Sequence, residues 1–399
     1  MKITIKILFI LMSVLLVMTG CEYDVAQPHW EQEHENPSAV AITAIEPADG
    51  AIAGVNTIKI MGENFADDMT RNHVYFDNVE AEIMESSTIE ISVRRPNLVS
   101  DASVVKVVSY DALVVATHSP YPIASVQATY GNFLENLALA TIATDGDNNL
   151  YVVETASRNI FKITPDGDKS QVGVAAGNVS DMKISPDGKL LILFNDTEIH
   201  QVNPDAAIDT AVVWTEVTKR VKYGDFDENG NFYVASKSSD LIVIKASDMS
   251  SSQIGVYARD EIFCVRVFNG YVYVLVELRS GEPELAIWRH AILDADGNLG
   301  DQELVLDWLE TGVFAESEPT SFTFDKDGNL FVATDYDSPI MIMDTNGQVE
   351  PFYKDILPGP AKQIVWGTDT HLYMIWDGDP DKTVLQVDMG IQGAPYYGW

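Results

Sequence analysis

Three patterns of apolar and polar positions follow one another along the chain. Residues 7–18, ILFILMSVLLVM, form an apolar run interrupted only by Ser13 behind Lys2 and Lys6. From about Ala41 to Ile123 the pattern becomes short alternating stretches, such as NTIKIMG, HVYFDN and TIEISVRRP, punctuated by Gly, Pro, Asn and Asp. Alternation of this kind predicts half-buried strands in a small β-sandwich. The seven strands expected there include AEIMESS as one strand and ALVVATH as the last. From Ser125 onward the pattern repeats. The segments DNNLYVVE, DGKLLILF, NGNFYVAS, NGYVYVLV, DGNLFVAT and DTHLYMIW share an apolar position at Leu150, Leu190, Phe232, Val272, Leu330 and Leu372, with spacings of 40, 42, 40, 58 and 42 residues. A period near 40 with several short strands per unit predicts propeller blades, and six units make a closed ring. The long spacing marks an insertion within RSGEPELAIWRHAILDADGNLGDQELVLDWLETGVFAESEP.

Each repeat carries a turn of Asp, Asn and Gly, and the carboxylate-rich one in FDKDGNLFVATD could serve either a hairpin or a cation. Gly and Asn adopt positive φ and Asp bonds its own backbone, so a tight hairpin needs these same residues. The best calcium candidate is Asp225, Asp227 and Asn229 in DFDENGNFYVAS. It matches the first half of an EF-hand loop but has Ser236 where the bidentate Glu belongs. No cofactor is expected beyond calcium at that one loop.

The first apolar run is too short to cross a bilayer, which takes about 20 residues, and it leads into Met18-Thr19-Gly20-Cys21. It reads as a secretion leader. Behind it, EYDVAQPHWEQEHENPSA is polar and acidic and reads as a tether. Cys264 is the one further cysteine, so a mature chain forms no internal disulfide and relies on packing. It lies in the apolar stretch EIFCVRV and is expected to be a buried small hydrophobe. The net charge of −35 excludes nucleic acid as a partner, because phosphate binding needs clustered Lys and Arg.

Residues 18–21 resemble the lipobox of bacterial lipoproteins, which implies lipidation of Cys21. Attachment to the cell envelope, at the bacterial outer membrane, is the location that this implies. The stretches IEPADGAIAGVNTIKIMGENF and VYFDNVEAEIMESSTIEISVRRP resemble the IPT/TIG family, with Pro47, Gly50, Gly54, Gly62 and Phe65 in the expected places. That resemblance implies an immunoglobulin-like domain serving as a spacer or interaction module. The repeats resemble the NHL family and, more loosely, the six-bladed propellers of the SMP-30/gluconolactonase type, a TolB-like superfamily. Blade 1, IATDGDNNLYVVETASRNIFKI, is the fullest match. The expected organisation is therefore all-β: a leader over 1–20, a tether over 21–40, an immunoglobulin-like sandwich over 41–124 and a six-bladed propeller over 125–399. Either VQATY or APYYGW could close the ring.

Equivalent repeat positions form rings in a propeller. The residue five after the aligned apolar position is acid or amide in four blades: Asn195, Glu277, Asp335 and Asp377. With Glu154, Arg158, Tyr336 and Trp376 beside them, these residues are the expected ligand-binding set on one face. They suit an oligosaccharide, peptide or protein partner, with Trp376 and Tyr336 as stacking surfaces. A metal-dependent hydrolase is the alternative that the SMP-30 resemblance implies, but its early Glu-Gly-Pro is absent, blade 1 reading NLALATIATD. His200, His290 and His371 occupy unrelated repeat positions and carry no catalytic motif. A binding module is the main expectation, and a structural part of an envelope assembly is a further one.

Overall fold

The computed structural model describes residues 39–110, 112, 114–134, 137–206, 208–378 and 382–399. The leader, Cys21 and nearly all of the tether lie outside the described residues. The described chain is all-β: an immunoglobulin-like sandwich leads into a six-bladed propeller.

The sandwich consists of two four-stranded antiparallel sheets. Strand Thr57–Glu63 shows the cause, since Ile58 and Ile60 turn inward while Thr57 and Lys59 face water. Two sequence expectations need correcting. AEIMESS is divided between Val79–Ala81 in one sheet and Ile83–Ser86 in the other, so the chain changes sheets at Glu82. The last strand is Ala116–Ile123, later than ALVVATH, and Val114 and Val115 remain exposed ahead of it.

The innermost strands of blades 1 to 6 are Leu139–Thr144, Asp181–Ile184, Tyr223–Phe226, Glu261–Phe268, Pro319–Phe324 and Ala361–Trp366. Each touches the next, and the sixth touches the first, which closes the ring. Four of the six aligned apolar residues begin the second strand of their blades, and Val272 and Leu372 stand one residue into it. The six pair with Thr144, Ile184, Phe226, Val267, Phe324 and Trp366, and all are buried. Second strands are apolar without alternation because neighbouring blades cover both faces. Leu150 and Val152 pack toward blade 6, whereas Tyr151 and Val153 pack toward blade 2. The long spacing before Leu330 holds the extended hairpin Leu285–Ile292 and Leu299–Asp307 and two 3₁₀ turns over 308–314.

The ring is closed by Gln127–Tyr130, which pairs with Lys382–Asp388 as the outer strand of blade 6. The tail takes a different course and crosses the channel at one end. Ala394 N donates to Phe324 O, Arg266 donates to the carbonyls of Ala394 and Pro395, and Gly398 lies against Ile184. A Cβ on Gly398 would overlap the Ile184 carbonyl oxygen, so only glycine fits there.

The sandwich docks beside blades 5 and 6. Tyr353 Oη accepts from Gly54 N and donates to Asp388 O, and the Arg95 guanidinium lies 5.9 Å from the Tyr353 ring centre. Lys354 and Arg94 add ion pairs to Glu82 and Glu350, both about half exposed. Pairs of this exposure contribute about 1 kcal/mol or less, so the buried Tyr353 contacts dominate the junction.

Candidate functional site

The hairpins joining first and second strands all lie at the tail end of the channel. Their carboxylates are engaged by their own turns. Asp325 Oδ1 accepts from Asp327 N at 2.9 Å and Asn329 N at 2.8 Å, and Asp145 and Asp227 repeat the pattern. FDKDGNLFVATD is thus a hairpin. The calcium candidate divides in the same way. Asp225 points to Arg266 Nη1 at 2.9 Å and to Val267 N at 2.8 Å, whereas Asp227 holds the turn containing Asn229 and accepts from Tyr233 Oη at 3.1 Å. Among the described residues, no three His, Cys, Asp or Glu side chains come together as a cation site. The donor set does not fit a metal.

At the opposite end, where the inner strands begin, the channel opens as a cavity of about 570 Å³. Tyr396 and Arg266 form its floor. Arg266 is sealed in: its ion pair with Asp225 is 1–2% exposed and its guanidinium lies 3.8 Å from the Tyr396 ring centre. Tyr396 Oη is held by Thr323 Oγ1 at 3.1 Å. The wall is charged on one side. Lys183 Nζ lies 2.9 Å from both oxygens of Asp181, which also accept from Met182 N and Gly224 N. Burial would lower the Lys183 ammonium, but attraction to Asp181 and Asp225 outweighs it and holds the group above its usual value. On the other side, Gln363 Oε1 accepts from Ile142 N, and Lys362 Nζ donates to Leu139 O at 2.6 Å. Burial holds Lys362 below the ordinary lysine value. Phe263, Tyr223 and Cys264 complete the wall. Cys264 is partly exposed to the cavity rather than buried in the core. Burial pushes its thiol up to about 12, which keeps it protonated and a poor nucleophile.

The expected ligand ring lies on this same face but one strand further out. Glu277 alone among its eight residues lines the cavity. Glu154 accepts from Ser157 Oγ, Arg158 donates to Ala176 O, and Asn195 Oδ1 accepts from Ser236 Oγ. Asp335 accepts from Glu318 N, and Asp377 pairs with Lys382. Of the two stacking candidates, Tyr336 leans on Phe314 with ring centres 5.3 Å apart, and Trp376 Nε1 donates to Gly359 O. The ends of second strands stand roughly 4.8 Å outside the inner strands, so these side chains order the rim loops. The expectation missed Asp181, Lys183, Lys362 and Gln363. Their signal was present in DMKIS and AKQIVW, where charged and amide residues interrupt strands that should be wholly buried. The three histidines are accounted for locally. His290 bridges Tyr257 Oη and Gly300 O, His200 faces Glu198, and His371 pairs with Asp369.

Residues 40–122 match the IPT/TIG domain family model. A search of the curated proteins finds no match to the sequence. Solved structures resemble the chain at low identity. An auxiliary nutrient binding protein from Bacteroides thetaiotaomicron VPI-5482 is 12% identical over 88% of this chain and 98% of its own, with a TM-score of 0.52. A luciferin-regenerating enzyme is 16% identical over 68% and 98%, at 0.52. Regucalcin, a calcium-binding protein from Agrobacterium tumefaciens str. C58, is 14% identical over 69% and 99%, at 0.51. Likeness at this identity establishes the fold only.

Proposed function

We propose that this is a binding protein of the bacterial cell envelope, lipid-anchored at Cys21, whose propeller takes a small polar ligand, a carbohydrate, into the open end of its channel. The observation that carries the binding role is the cavity: one end open, a floor of Tyr396 and Arg266, and a wall that mixes aromatic faces with fixed polar groups. Its volume falls in the range of about 300–1,000 Å³ usual for small-molecule sites. Among the described residues no sandwich side chain lines it, so the docked domain leaves the mouth free. A protein named for nutrient binding shares the fold, which is compatible with this reading without carrying it. The metal-dependent hydrolase is the weaker reading, because it needs convergent oxygen ligands, and of the four carboxylates that line the cavity Asp181 is already paired with Lys183 and Glu261 with Lys237.

A glycan array followed by calorimetry tests the binding role. The expected result is a carbohydrate whose affinity falls at least tenfold in Phe263→Ala. An array with no ligand, or a ligand indifferent to every cavity substitution, would remove the reading. Calcium in the same calorimeter, with an esterase and lactonase panel, tests the hydrolase. The anchor is tested separately by incorporation of labelled palmitate, which should disappear in Cys21→Ala.

A further inference from the structure

The charged groups of the cavity separate by depth. Glu277 and Glu318 line its rim and are exposed, so water solvates them. Deeper in, the acceptors are already taken. Asp181 receives Lys183 and two backbone N–H groups, Glu261 receives Lys237, and Gln363 Oε1 receives Ile142 N. Arg266 is answered by Asp225 and by tail carbonyls. An excess of donors is left over. An ammonium has three N–H bonds, and Lys362 Nζ has one acceptor, Leu139 O, with no carboxylate in ion-pair range among the described residues. Lys183 contacts a single carboxylate, and Gln363 Nε2 reaches only that same group, at 3.5 Å from Asp181 Oδ1. Lys183 and Lys362 thus both line the cavity, and Gln363, next to Lys362 in sequence, reaches across to the carboxylate that holds Lys183.

We propose that the ligand is a sugar acid whose carboxylate is received by Lys362, with Lys183 and Gln363 beside it. The proposal deepens the binding role of the channel and rests on it. A half-buried cation with no carboxylate in contact is costly, Asp377 acting on Lys362 only from a distance, and an incoming carboxylate reduces that cost while supplying the missing acceptors. The hydroxyl groups of a sugar suit the rim, where Glu277 and Glu318 are acceptors without donors of their own. A phosphate dianion suits the site less well, since the free donors belong to two lysines and an amide within a strongly acidic protein.

The test is calorimetry of the full chain with a galacturonate trisaccharide and with its carboxyl-reduced counterpart, a neutral galactose trisaccharide. The acid should bind about tenfold more tightly, as expected for one charge-assisted contact. Lys362→Met should abolish that preference, bringing the two affinities together, and Lys362→Arg should restore most of it. Equal affinities, or a preference that survives Lys362→Met, would overturn the carboxylate while leaving the channel as a binding site. Failure of both trisaccharides also overturns it, and the glycan array then decides whether the channel reading falls too. A free tripeptide acid and its amide form a further arm. Binding of that acid, with neither trisaccharide bound, would make the ligand a peptide and likewise defeat the proposal.

Discussion

The two ends of the propeller channel are built from the same six strands and have opposite characters. At the closed end, hairpin carboxylates bond their own backbone, the tail crosses the opening, and the Asp225–Arg266 pair is sealed beneath Tyr396. At the open end, the inner strands begin with charged and amide side chains that face a cavity. The repeat supplies stability at the end where it is regular. Where it departs from regularity it leaves groups whose bonding is incomplete. The two buried ion pairs make the contrast concrete: Asp225–Arg266 joins blades 3 and 4 at the floor, whereas both partners of Asp181–Lys183 belong to the innermost strand of blade 2 and line the cavity wall.

The largest expected effect comes from Arg266→Ala, which leaves the Asp225 carboxylate buried and alone. Urea unfolding should show a loss of about 3–5 kcal/mol. Tyr396→Ala should cost about 3 kcal/mol by removing a buried aromatic from the floor. Lys183→Ala should cost less, about 2 kcal/mol, because Asp181 keeps two backbone donors and can be reached by water through the cavity. If Lys183→Ala matched Arg266→Ala, the two ends would be energetically alike and the contrast between them would fall. The smallest effect concerns the closed-end clasp of His371, Asp369 and Asn148. The hydrogen bond to Asp369 holds His371 above its usual value of 6.5. Its contribution is therefore complete below about pH 6.5 and is lost as pH rises through the raised folded value. The pair is partly solvated, so the change should be about 0.5 kcal/mol, and His371→Gln should flatten it.

The sheet plan was legible because its causes are local and recurrent. Turns built from Asp, Asn and Gly and doubly buried second strands recur with the blades, so Leu150 and its five counterparts could be aligned without coordinates. The site was less legible for the same reason. A search for a ring selects positions that recur, such as Asn195 and Asp335, and these order the rim. Lys183 does not recur as a ring, since the other blades carry Ala143, Asp225, Arg266, Thr323 and Val365 at its position. The partners of Lys183 and Lys362, Asp181 and the Leu139 carbonyl, are set by side-chain packing within one strand and by backbone of a neighbouring blade. The choice between VQATY and APYYGW was equally out of reach, because both segments are short, aromatic and adjacent to the ring in sequence.

Only residues 124–126 separate the last sandwich strand, ending at Ile123, from the closing strand that starts at Gln127. A mechanical load applied to the sandwich would thus pass within three residues to the seam of the ring. Tyr353 and Arg95 lie where that load would first be felt, bracing the Gly54 loop and the Ala124 carbonyl against blade 6. Pulled from its N-terminal side, the molecule would yield first at this brace, and the ring would open only after it.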